Sequence, residues 1–196
     1  MDFEKPPCAF VLVDGVLAPR LFRSLYRRYA QSLEVEGDEA VLELGCGSGG
    51  VAEHLAPRLA HGSLTCVDIC PQLIKIARRR LRAYQNVQCH ISRIGTLRLP
   101  DESFDLIVIH NALHDIPESE RSATVLELGR ILKPKGRLAL REPTKPSHGM
   151  PSTAYRQLIT TAGLMEQRAA EYKVFPAGLM FDAVFAKPDG ACQSPA

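Results

Sequence analysis

Between positions 43 and 50 the chain reads Glu-Leu-Gly-Cys-Gly-Ser-Gly-Gly, directly after an apolar run and directly before a helical one. Glycines there let the main chain turn tightly and let a ligand approach it without a Cβ in the way. The helix beyond offers N–H groups that no carbonyl of its own satisfies. Asp68 stands nineteen positions after Gly49 and closes the next apolar run. A carboxylate there can accept hydrogen bonds from both hydroxyls of a ribose, each contributing about 1.5–3 kcal/mol. Open parallel sheets bind their ligands at the carboxyl ends of the strands, so turn and acid together ask for a nucleoside. A second set follows the fourth apolar run, His110-Asn111-Ala112-Leu113-His114-Asp115. His114, with a pKa ordinarily near neutrality, could take a proton from an oxygen, nitrogen or carbon acid. The alternative is that His114 and Asp115 shape the loop and cap the next helix. His110 reads as a positioning residue rather than a base.

Which nucleoside is open at this point, because Gly45, Gly47 and Gly50 also satisfy the dinucleotide spacing G-x-G-x-x-G. Three features argue against a dinucleotide. Glu43, two residues before the first glycine, would repel a pyrophosphate but suits the ammonium of an amino-acid tail. The remaining chain is too short for a separate catalytic domain. The last two strand-like runs form a hairpin at the expected sheet edge.

The elements that must position these residues alternate. Strands are expected at 40–44, 63–68, 87–91, 104–110 and 138–141, with helices at 50–59, from Pro71 to Tyr84, and at 119–132. A Pro-, Ser- and Gly-rich loop spans 143–151, a helix 153–162, and two closing strands 164–174 and 179–186. Alternation of this kind implies helices on both faces of a parallel sheet, and a short connection makes the closing pair antiparallel. The fold class is therefore α/β, Rossmann-like and doubly wound, with a mostly parallel seven-stranded sheet and a C-terminal antiparallel hairpin. Residues 19–33 read as one amphipathic helix with Leu21, Phe22, Leu25, Tyr26 and Tyr29 inward, a lid or a simple packing element. The expected domains are 1–36 with that helix, 37–188 as the binding domain, and 189–196 as a flexible tail.

Composition narrows the function. A net charge of +2 on 196 residues gives no global case for a nucleic-acid or membrane partner. Arg78, Arg79, Arg80 and Arg82 read as the solvated face of a helix. No apolar stretch approaches a membrane span or a secretory signal. Six cysteines lack C-x-x-C spacing, and Cys66 and Cys89 fall within strands, so they read as free thiols in a reducing, cytoplasmic compartment. No His/Cys set has metal-ligand spacing, and no metal is expected.

Val41 to Gly49 resembles the glycine-rich first motif of class I S-adenosylmethionine-dependent methyltransferases. The resemblance continues through Val67-Asp68-Ile69, the run from Leu99 to Ile107, and the run from Ile131 to Leu138. It covers about residues 37–187 and is closest to the small-molecule branch that includes quinone-biosynthesis C-methyltransferases. It implies S-adenosylmethionine as cofactor and a small-molecule methyl acceptor. Carried over by position, Glu43 would hold the methionine amino group through water, and Gly45, Cys46 and Gly47 would line methionine and ribose. Ser48 and Gly49 would complete the turn, Asp68 would grip the ribose diol, and Ile69 would pack on adenine. His110 and Asn111 would lie beside the methionine, and Asp105 would be structural. Two departures stand out. Arg93 replaces the acid relatives usually carry, leaving the Ile94 N–H to reach adenine. Cys70 replaces a capping Ser. The rival readings are a non-catalytic S-adenosylmethionine binder, an RNA or protein methyltransferase, and a nicotinamide-dependent oxidoreductase.

Overall fold

The computed structural model describes residues 4–145, 148–175 and 178–189. The chain forms two compact units that meet in sequence between Leu97 and Arg98.

The first unit opens with α1 (Cys8–Leu12), a π-helical turn (Val13–Leu17), α2 (Ala18–Leu21) and α3 (Arg23–Ser32). Then β1 (Ala40–Leu44), α4 (Ala52–Leu55), β2 (Ser63–Asp68), α5 (Pro71–Arg80) and β3 (Val87–Ile91) alternate. The strands β1 and β3 both pair with β2 in parallel, with Glu43 opposite Cys66 and Cys66 opposite Cys89. Four of the five residues of β1 are buried, the continuous burial of a parallel strand covered on both faces. Pro71 starts α5, where a missing N–H has no consequence. Leu73, Ile74 and Ala77 turn inward from that helix, each large side chain contributing about 1.5–3 kcal/mol by its burial.

The second unit contains β4 (Phe104–His110), a 3-10 turn (Leu113–Asp115), α6 (Glu118–Ile131), β5 (Leu132–Lys145) and β6 (His148–Gly149). It closes with α7 (Ser152–Thr160), β7 (Met165–Val174) and β8 (Gly178–Ala186). The central strand β5 pairs in parallel with β4 and antiparallel with β8, and β8 carries β7 outside it. Nine of the ten residues of β7 are exposed. Its Glu, Arg and Lys side chains keep such an edge from pairing with other chains.

The expected strands 40–44, 63–68, 87–91 and 104–110 are observed at those bounds. Elsewhere the structure differs, for identifiable reasons. The expected 19–33 helix is broken at Phe22, which leaves helical geometry at φ −105°, ψ 21°. Leu21 is consequently exposed rather than inward, and helical structure also precedes the break. The helix expected at 50–59 gives way after Leu55 to a 3-10 turn containing Pro57. The fifth strand begins at Leu132 instead of 138, interrupted by a register shift between Phe104 and Leu106 of its partner. The 143–151 loop is partly a hairpin, with Thr144 opposite Gly149. Of the expected tail, only Asp189 falls within the described residues.

Candidate functional site

The glycine turn of the first unit departs from β1 through a left-handed chain. Gly45, Gly47 and Gly49 have φ of +69°, +53° and +80°, angles that side chains with a Cβ adopt at a penalty of about 1 kcal/mol or more each. The turn is pinned by main-chain bonds from the Gly45 and Cys46 N–H groups to the Val67 carbonyl (2.8 and 3.2 Å) and from Gly49 N–H to Cys46 (2.9 Å). Asp68 supplies the other anchor. Its Oδ2 accepts the Gly47 N–H at 2.8 Å and its Oδ1 accepts the Cys70 N–H at 2.8 Å. The acid expected to grip a ligand thus also fixes the turn. Cys70, the poor cap, makes no side-chain cap bond to the main chain of its helix; its Sγ lies 3.4 Å from Gln72 Oε1, and the Asp68 carboxylate takes up its N–H. Each Asp68 oxygen retains acceptor capacity beyond its backbone bond. Burial pushes the Asp68 carboxyl above its ordinary value, against the three backbone N–H groups that lower it.

Glu43 lies behind the turn and is 2% exposed. The Ala52 N–H donates to this carboxylate, yet its Oε2 is buried and has no hydrogen-bond partner. Burial, and then the Asp68 charge, raise its pKa from 4.5 to about 8. An unmet buried carboxylate of this kind carries a desolvation penalty of several kcal/mol when ionised. A cationic ligand group relieves that penalty. Two carboxylates on a glycine turn therefore fit a ligand that is both cationic and hydroxylated, and do not fit a pyrophosphate. Ser48 and Cys46 are buried in the turn, Ile94 is buried beyond β3, and Ile69 is half-buried. Arg93 is not drawn to the carboxylates; its guanidinium pairs with Glu4 at 2.9 Å on the surface.

The second unit holds a different polar cluster. Glu142, in β5, is fully buried. Its Oε1 accepts the Ala112 and Leu113 N–H groups (2.7 and 2.9 Å), and its Oε2 accepts the His114 N–H at 3.3 Å. The same Oε2 lies 2.6 Å from His114 Nδ1. The Tyr155 hydroxyl, from α7, sits 3.0 Å from the Pro143 carbonyl and 3.4 Å from Glu142. Arg121 holds the loop from the other side, donating to the His114 and Ile116 carbonyls. The His114 ring is 4% exposed, with Nε2 3.4 Å from Asp115. Burial lowers its pKa, but the Glu142 bond and charge more than offset this, so the net shift is upward.

His110 is driven the other way. Burial, then Arg141, push it down to about 4, which keeps the ring neutral and makes it a weak base. Arg141 is itself bound to Asp182 at 2.8 and 2.5 Å. Asn111 adopts a left-handed φ of +54° and donates its N–H to Arg141. Asp105 is ion-paired with Lys133 at 2.8 Å, as a structural residue would be.

Tyr155 is not singled out by any of the motifs above. Glu142 is 28 residues from His114 and Tyr155 a further 13 on, and no local pattern links them. The only cue to Glu142 is an acid two residues past the apolar run Leu138-Ala139-Leu140.

The fold of the chain is shared with solved methyltransferases. The N-methyltransferase NodS from Bradyrhizobium japonicum, determined with S-adenosyl-l-homocysteine, superposes with a TM-score of 0.73 over 95% of each chain at 22% identity. The three strands of the first unit and the four long strands of the second are the seven strands of this Rossmann-like class, mostly parallel with an antiparallel C-terminal hairpin. Residues 41–136 match the methyltransferase domain family, so the chain carries a methyltransferase domain. It is 34% identical over 122 residues to a demethylmenaquinone methyltransferase of Tropheryma whipplei, 62% of this chain and 49% of that one. It is 33% identical over 138 residues to the phthiotriol/phenolphthiotriol dimycocerosates methyltransferase of Mycobacterium leprae, 69% of this chain and 49% of that one. The chain thus spans about half the length of these curated relatives.

Proposed function

We propose that this chain transfers a methyl group from S-adenosylmethionine to a small-molecule acceptor, using residues 37–188. The observation that carries the reading is the buried, unmet Oε2 of Glu43 beside the glycine turn. Glu43 would hold the ammonium of the methionine moiety, and Asp68 the ribose diol. Gly45, Cys46, Gly47, Ser48 and Gly49 would present main chain to methionine and ribose, with Ile69 and the Ile94 N–H against adenine. Arg93 would stand outside this set, held by Glu4. When bound, the cofactor supplies a methyl group on a sulfonium, activated for in-line displacement.

In the second unit, His114 is assigned to accept the proton an acceptor gives up. Glu142, bound at Nδ1, would fix the tautomer so that Nε2 is the basic nitrogen. Neutral His110, with Asn111, would position rather than titrate. Action in the cytoplasm is part of the same reading, supported by the free thiols Cys46, Cys66 and Cys70 buried in the first unit. Among the described residues no helix is long and apolar enough to cross a membrane.

Calorimetric titration with S-adenosylhomocysteine tests the cradle. The unaltered protein should bind one equivalent, and Asp68→Ala should weaken binding at least tenfold, a loss of about 1.4 kcal/mol or more. Equal affinities would remove the assignment, provided the variant melts as a folded protein.

The proton role has its own readout. With labelled cofactor and an accepted substrate, His114→Gln should lower kcat by roughly 10²–10⁴ while leaving S-adenosylhomocysteine affinity within about twofold. Because Glu142 raises the His114 pKa, the unaltered enzyme should gain activity with rising pH through a midpoint above the ordinary histidine value. The variant should lose that step. A retained step would leave His114 a loop residue.

A further inference from the structure

The N-terminal helices are held to the first unit by one face. A Cβ on Gly15 would meet Ile76 Cδ1 at 2.8 Å and Leu73 at 3.1 Å. The Arg80 guanidinium donates to the Gly15 carbonyl at 3.4 Å. Further along, the Tyr26 ring lies over Gly50, and Tyr29, Ala30 and Leu33 are buried.

The other face is apolar without being covered. Leu12, Val13, Leu17 and Leu21 are 54, 55, 43 and 73% exposed, four of the nine large hydrophobics exposed among the described residues. A scattered exposed leucine needs no explanation. Four within ten residues, three of them spaced four apart, form a stripe, and such patches mark interaction surfaces.

The same segment is strongly basic. Arg20, Arg23, Arg27 and Arg28 are exposed, and no acid occurs from Gly15 through Leu33. The Arg20 guanidinium donates to the Val16 carbonyl of the preceding π-helical turn at 3.0 Å. Among the described residues, Arg23, Arg27 and Arg28 make no ion pair. Their field reaches His54, whose ring is held below its ordinary pKa by burial and then by Arg23, Arg27 and Arg80 against the pull of Glu53. Two basic residues of α5 are spent differently: Arg78 donates to the Cys89 carbonyl and Arg80 lies 3.7 Å from Glu53.

We propose that this face docks on an anionic lipid bilayer, with the exposed leucines and Val13 entering the interface and the arginines meeting lipid phosphates. A helix with an apolar stripe flanked by uncompensated cations has the composition of an interfacial anchor. Each basic residue near an anionic leaflet strengthens binding roughly fivefold. Nucleic acid would use the arginines and leave four apolar side chains in water. A second copy of this chain, apposed about a two-fold axis, would bury the stripe only by bringing two unpaired arginine clusters together. The expectation of no membrane partner came from the net charge of +2; that total conceals a local surplus, because residues 12–33 carry four arginines against a single acid, Asp14. The proposal does not depend on methyl transfer.

Flotation of the full chain with vesicles provides the test. It should float with phosphatidylcholine vesicles containing roughly one-third phosphatidylglycerol and stay down with phosphatidylcholine alone, an anionic preference lost at high salt. Arg23→Gln/Arg27→Gln/Arg28→Gln should weaken binding by about 100-fold. Leu17→Ser/Leu21→Ser should weaken it roughly tenfold. Both variants should keep the original melting temperature, since the altered side chains are exposed. Failure to float with phosphatidylglycerol vesicles overturns the proposal. So does undiminished flotation of either variant, or retention on RNA or self-association while vesicles are ignored.

Discussion

Replacing Glu43 by Gln should make the ligand-free protein more stable at pH 9 and a poorer binder at the same time. Glu43 is buried, and its pKa in the folded chain is about 8 against 4.5 for the free side chain. The folded state therefore holds a proton here that the unfolded state has already released between those values. A carboxyl with a raised pKa contributes stability that is fully present below its unfolded pKa and is lost as pH rises through the folded one. Above pH 8 the chain carries a buried, half-satisfied carboxylate, at about 1.4 kcal/mol for each unit of the shift. Glutamine removes the charge but leaves one amide group to satisfy, which returns part of the gain. The net expectation is about 2–3 kcal/mol, or roughly 5–10 °C in melting temperature, at pH 9. At pH 5, where Glu43 is already neutral, the two proteins should melt alike. Binding should respond in the opposite sense. Loss of the anion facing a ligand ammonium should weaken S-adenosylhomocysteine about 10- to 100-fold. In the unaltered protein, binding below pH 8 should release a proton, visible as a heat that depends on the buffer in calorimetry. A glutamine variant with unchanged affinity and an unchanged pH–stability curve would dissociate Glu43 from the cradle.

Glu142→Gln should leave a folded protein that binds cofactor and turns over far more slowly. The carboxylate collects the N–H groups of Ala112, Leu113 and His114 and the His114 ring, all beneath the surface. Glutamine keeps one acceptor oxygen, which suits the Ala112 and Leu113 bonds, and turns its amide donor toward His114 Nδ1. That nitrogen then becomes the acceptor and the proton moves to Nε2, so the nitrogen assigned as base is occupied. The loss in kcat should be roughly 10²–10³, with about 1–3 kcal/mol of stability lost through the weaker pairing. Carbon-bound proton resonances of the His114 ring should titrate lower than in the unaltered enzyme, because the charge that raised the pKa is gone. Glu142→Ala is a harsher change. It strands three buried N–H groups at about 1–3 kcal/mol each, and should unfold the loop or the chain. If Glu142→Gln keeps its turnover and its histidine titration, Glu142 serves only as a buried cap for the 3-10 turn at Leu113.

Much of this protein is written locally. The strands β1, β2 and β4 were legible as short, mainly apolar runs, β1 stopped by Gly45 and β2 by Asp68. Backbone periodicity and turn chemistry need no partner to declare themselves. The Glu43 to Gly50 turn and the spacing to Asp68 were legible for the same reason, since successive left-handed φ angles are reached without penalty only by glycine. What the sequence could not determine is set by register across the sheet and by packing. The break at Phe22, and hence the outward Leu21, reflects which residues of the N-terminal segment found buried neighbours, not their helical period. The start of β5 at Leu132 and the hairpin after Pro143 depend on strand pairing that Pro134 and the Pro-Ser-Gly loop composition disguise. Asp68 as the clamp of its own binding turn, and Glu142 as the hub joining His114 to Tyr155, are contacts between residues 13 to 28 positions apart. The residue types needed for methyl transfer are fixed by the chain, but the protonation state of each is decided by burial and by neighbours that only the folded sheet brings within reach.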